Sequence, residues 1–127
     1  MLQVTKEYLK KEFKIKIFNK SIRMWIELKY VLLSADSDTS VYLVPDEMAN
    51  NLKKYCIDFC NKWLYQSSYA KKYHIGGSVC YNEKDFIEYI NTWIFPDEPS
   101  VLIETIGWIN SKSDIPEKYR ECKWFNF

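Results

Sequence analysis

Between Ile22 and Leu32 the chain alternates without a break. Ile22, Met24, Ile26, Leu28, Tyr30 and Leu32 take every second position, with Arg23, Trp25, Glu27, Lys29 and Val31 between them. A period of two sends successive side chains to opposite faces of an extended strand, whereas a helix would repeat its apolar residues every three or four positions. Phe13, Ile15 and Ile17 alternate with Lys14 and Lys16 in the same way, and Asn19-Lys20-Ser21 between the two runs has turn chemistry. The pair reads as a β-hairpin with one face on a core and a lysine-bearing face toward water.

The rest of the chain changes period several times. Thr5 can start a short helical turn over residues 5–11, ahead of the hairpin. Residues 34–40 (SADSDTS) read as a loop, and Val41–Val44 as a third strand. Pro45-Asp46-Glu47 has the proline and acids that favour a first helical turn, and Met48, Leu52, Tyr55, Cys56, Phe59 and Trp63 continue at helical spacing to about Tyr65. A loop with a short strand near Ser78–Tyr81 follows. Asn82 is a capping residue for a second helix, whose stripe is Phe86, Ile87, Tyr89, Ile90, Trp93 and Ile94 and which Pro96 ends. Val101–Ile109 is β-prone with Gly107 inside it, and a last short strand begins at Cys122. This order predicts an α+β fold: a mostly antiparallel sheet with an N-terminal β-hairpin and two main helices packed on one face. No linker, repeat or low-complexity segment divides residues 1–127, which read as a single globular domain.

Length and charge narrow the function classes. A chain of 127 residues buries about two-thirds of its surface on folding, enough for a core that needs no disulfide or metal. The net charge is +1, whereas a general nucleic-acid binder carries a clear basic excess. Residues 1–30 are basic and residues 31–127 mildly acidic. Arg23 and Arg120 are the two arginines, so the cations are mostly lysines, which lack the planar fork that reads phosphate bidentately. The start of the sequence has no apolar signal core, and no run approaches the roughly 20 apolar residues of a membrane span. With four cysteines, this predicts a cytoplasmic protein with free thiols.

Candidate chemistry is sparse. Cys56 and Cys60 lie one turn apart, and with Cys80, Cys122 or His74 they make half of a zinc pattern. The second tight cysteine pair is missing and Cys56 falls on the apolar stripe, so packing is the expected role. His74 is the sole histidine, no nucleophile motif surrounds Cys80, and His74-Ile75-Gly76-Gly77 reads as a turn. Gly76-Gly77-Ser78 matches neither phosphate-cradling glycine pattern. The Pro-Asp-Glu triplets at 45–47 and 96–98 read as a helix start and an acidic loop. No catalytic residue, cofactor site or metal site is expected, and no small-molecule substrate or membrane partner is indicated.

Aromatic residues make up 17% of the chain, and most follow the core periodicity. Trp25, on the lysine-bearing face, is the exception, and Trp108 shares a strand with Glu104 beside Gly107. Exposed tryptophans mark protein interfaces, where a rigid ring gives contact area at little entropic cost. The rival reading is stacking of single-stranded bases on the basic and aromatic residues of Lys14–Tyr30. The bland reading is partial burial under a terminal helix.

The helix read from NEKDFIEYINTWIF, followed by PDEPSVLIETIGWI and the closing IPEKYRECKWFNF, resembles small immunity proteins of bacterial polymorphic toxin systems, those of contact-dependent growth inhibition in particular. The resemblance covers about the last 45 residues and the general size and build. It implies a non-enzymatic cytoplasmic protein that binds one cognate toxin domain and blocks its active site or substrate access. Many such toxins are nucleases with basic clefts, which an inhibitor would meet with acids. The candidate toxin-binding residues are Asp36, Asp38, Asp97, Glu98, Glu104, Trp108, Asp114 and Glu117. The alternative is a small nucleic-acid-binding or regulatory module using the basic N-terminal hairpin.

Overall fold

The computed structural model describes residues 28–127. The expected strand Phe13–Ile17, the helical turn at 5–11, Trp25 and the first half of the Ile22–Leu32 strand lie outside these residues. Strands β1 (Leu28–Ser34) and β2 (Thr39–Pro45) form an antiparallel hairpin, β5 (Val101–Gly107) pairs antiparallel with β2, and β6 (Lys123–Asn126) pairs parallel with β1. The sheet order is β5-β2-β1-β6. A separate two-residue pair, β3 (His74–Ile75) and β4 (Ser78–Val79), closes over Gly76 and Gly77. Both glycines have positive φ, 55° and 85°, as the tightest hairpin turns require. The fold is α+β, with a mostly antiparallel sheet and two main helices.

The first helical region begins where its proline and acids indicate, but it is not one helix. Helix α1 (Asp46–Asn50) is separated from α2 (Leu52–Ile57) by Asn51, whose φ and ψ of −124° and 34° leave the helical basin. Its side chain donates to the Glu47 carbonyl at 2.9 Å, the local competition that makes asparagine a poor interior helix residue. The path continues through a π-helical stretch, Asp58–Trp63, into α3 (Leu64–Gln66). The second main helix, α4 (Glu83–Tyr89), starts on a full capping box. Asn82 accepts from the Lys84 and Asp85 backbone, and Asp85 accepts from the Asn82 N–H. It ends in another π-helical stretch, Ile90–Ile94, just short of Pro96.

The helices pack on the sheet face formed by Val31, Leu33, Tyr42 and Val44. Phe59 is the hub of this core, with ring centroids 5.1 to 6.1 Å from Tyr89, Tyr81, Phe86, Trp63 and Phe127. The other face carries Leu28, Tyr30, Leu32, Val41 and Leu43. Ile109, Ile115 and Tyr119, from the segment joining β5 to β6, cover part of it. A water-facing side was expected for the hairpin. Of that hairpin only residues 28–32 are described: Lys29 is exposed as expected, whereas Val31 on the same face is buried. The reason is position. β1 and β2 are the two central strands, with helices on one side and the β5–β6 connection on the other.

Candidate functional site

Three chain segments meet at one end of the sheet. The β1–β2 turn is there, β5 finishes there in Gly107 (φ 89°), and β6, parallel to β1, finishes there in Asn126. They enclose an open cleft of ≈ 420 Å³ lined by Ser34, Asp36, Ser37, Thr39, Trp108, Ile109, Asn110, Trp124 and Asn126. The alternation of β6 decides which residues reach it. Phe125 and Phe127 join the helix-side core, so Trp124 and Asn126 take the opposite face.

Polar contacts fix the cleft walls. Asn126 Oδ1 accepts from the Ser34 hydroxyl at 2.9 Å and from the Asp36 N–H at 2.8 Å, while its Nδ2 donates to Asp36 Oδ1 at 3.0 Å. Trp124 Nε1 donates to Ser34 Oγ at 3.1 Å, and Trp108 Nε1 donates to Asn110 Oδ1 at 2.7 Å. Asp114 accepts from the backbone N–H groups of Asn110 and Ser111, closing the turn that carries Asn110. Trp108 is nevertheless 57% exposed and Trp124 38% exposed. Thr39 is 1% exposed, and its hydroxyl has no hydrogen-bond partner. A buried, unmatched hydroxyl costs free energy unless an incoming group pairs with it.

The structure brings Asp36 and Trp108 together in this cleft, with Asp114 supporting the turn behind them. Asp38 is exposed in the same loop but does not line the cleft. Glu104 lies on β5, where its carboxylate accepts from the buried Tyr119 hydroxyl and pairs with Lys118 at 3.6 Å. Glu117 is exposed in the 3₁₀ turn Glu117–Tyr119. Asp97 and Glu98 sit in the turn before β5, so the length of that strand, about 20 Å, separates them from Trp108. Burial, and then the charge of Asp97, raise the Glu98 carboxyl above its ordinary pKa. The candidate acids are therefore spread over both ends of the sheet. Ser34, Thr39, Trp124 and Asn126 were not among the expected residues.

A second surface lies on the helix side. Trp63, Tyr69, Tyr73, Tyr89 and Trp93 line a groove of ≈ 340 Å³ with Lys72 and Glu88, which pair at 3.5 Å. Both π-helical stretches feed it, one supplying Trp63 and the other Trp93.

Of the remaining reactive groups, Cys80 is an exposed free thiol, while Cys56 and His74 have structural surroundings. Cys56 is fully buried on the apolar stripe, and burial pushes its thiol pKa well up. His74 Nε2 lies 2.6 Å from the Leu64 carbonyl and its ring meets Tyr65 edge-on. Among the described residues no three His, Cys, Asp or Glu side chains gather as a metal ion would need, and no helix is long and apolar enough to cross a membrane. Compared with protein-family models, curated proteins and solved structures, the chain matches none.

Proposed function

We propose that this chain acts by binding another protein through the cleft at the hairpin end of its sheet, as an immunity protein that neutralises a cognate bacterial toxin domain, a nuclease by preference, in the cytoplasm. The observation that carries the binding reading is the pair of solvent-facing tryptophans, Trp108 and Trp124, each anchored by an indole hydrogen bond at a polar cleft. Rings pinned in this way lose little entropy on contact, and the strongest interface contacts are rich in tryptophan. Asp36 beside them supplies a negative group for a basic partner. The toxin as partner rests on the sequence resemblance.

The test has two parts. Affinity capture of the tagged full chain at moderate salt, from the bacterium that encodes it, should return one stoichiometric protein partner. Expression of that partner's C-terminal domain should arrest growth, and co-expression of this chain should restore it. Recovery of nucleic acid in place of protein, or a partner whose domain is harmless, contradicts the proposal.

A further inference from the structure

The polar atoms of the cleft are unequally committed. Both indole N–H groups are already donating, one to Ser34 and one to Asn110. Asn126 uses its oxygen twice and its nitrogen once. The tryptophans therefore offer an incoming group their ring surfaces rather than a donor. What remains uncommitted is the second carboxylate oxygen of Asp36, which can only accept, the buried Thr39 hydroxyl, which can accept or donate, and the Asn110 side-chain amide. The one charged group among these is the Asp36 carboxylate, and with two indole faces beside it the site favours a cation over an anion.

We propose that this cleft takes the guanidinium of an arginine side chain presented by the protein partner. This deepens the binding reading above and rests on it. A guanidinium is planar and weakly hydrated, stacks on aromatic faces, and has five N–H donors that can serve Asp36 and Thr39 together. An ammonium is a compact, strongly hydrated point charge and exploits an indole face less well. Trp108 and Trp124 remain substantially exposed, so covering both rims takes a protein surface around the arginine rather than a free amino acid. Asp36 and the exposed Asp38 of the same loop are the charges nearest the cleft that favour approach of such a basic surface.

The experiment is a solution NMR titration of the full chain, following the indole N–H signals. The probes are N-acetyl-arginine methylamide, its neutral citrulline isostere, the lysine analogue and free arginine. The capped arginine should shift the Trp108 and Trp124 signals saturably, with affinity about tenfold above citrulline and lysine. Asp36→Asn, which keeps the loop's tolerance of positive φ, and Thr39→Val should each weaken the response. Equal response to citrulline, the absence of a saturable shift, or shifts confined to other tryptophans overturns the proposal. Tighter binding of free arginine than of the capped form assigns the site to a small molecule and overturns the protein source. If a captured toxin partner binds Asp36→Asn and Thr39→Val as well as the native chain, the arginine inference fails while the immunity reading stands. A capped arginine that binds as expected, with no protein partner captured, fails the immunity reading alone.

Discussion

Asp36 is the described non-glycine residue with a left-handed backbone, at φ 53°. Aspartate tolerates that region better than most residues, but it still costs free energy. Asn126 offsets the cost by gripping both the Asp36 N–H and its carboxylate, and it also holds Ser34. The same grip aims Asp36 into the cleft. Asn126→Ala should therefore lower stability by about 1–2 kcal/mol in urea denaturation, the sum expected for a few partly exposed hydrogen bonds. Adding Asp36→Gly to that variant should recover part of the loss, because glycine takes a positive φ without penalty. Sequence spacing brought out Asp36 as a loop acid and Trp108 as an aromatic beside Gly107. It gave no means of pairing Asp36 with Asn126, 90 residues away.

At the scale of elements, legibility follows periodicity. The alternation around Leu28–Leu32, the Asn82 cap and the β-prone run from Val101 each mark an element that is present. These signals are local, and neighbours of i+2 or i+3 carry them. The break at Asn51 was less legible, because the apolar stripe continues through it while the side chain captures the backbone. The π-helical stretches were not legible, since one additional residue per turn leaves the stripe recognisable. Trp124 could have been found by carrying the period of two to the end of the chain. Phe125 and Phe127 on the core face require Trp124 and Asn126 on the other. What alternation does not show is that β6 lies parallel beside β1, and this juxtaposition makes the cleft.

The whole molecule combines an aromatic core with a polar end. Burial is the leading cause that raises the phenol pKa values of Tyr42, Tyr73, Tyr81, Tyr89 and Tyr119, and it takes Tyr55 up to about 12. For Tyr119, the hydrogen bond donated to Glu104 adds to burial. The folded protein keeps these protons where the unfolded chain begins to lose them, near the ordinary value of 10.0. Their contribution to stability is therefore complete below that value and is lost progressively above it, as the pH rises toward the raised folded-state values. The decline contributed by fully buried Tyr119 steepens above that value toward a limit of about 1.4 kcal/mol per pH unit for one retained proton. Urea midpoints measured from about pH 9 to about pH 11 should fall progressively, and Tyr119→Phe should flatten the fall.

The polar end carries the proposal that the hydrogen-bonded tryptophans of the cleft form the binding surface. The most direct measurement is calorimetric affinity of the captured partner for the native chain and for Trp108→Ala/Trp124→Ala, after thermal denaturation has shown the variant folded. Loss of two interface anchors should weaken binding at least about thirtyfold, the effect of a change near 2 kcal/mol. An unchanged affinity in the folded variant would move the interface away from this cleft and contradict the account.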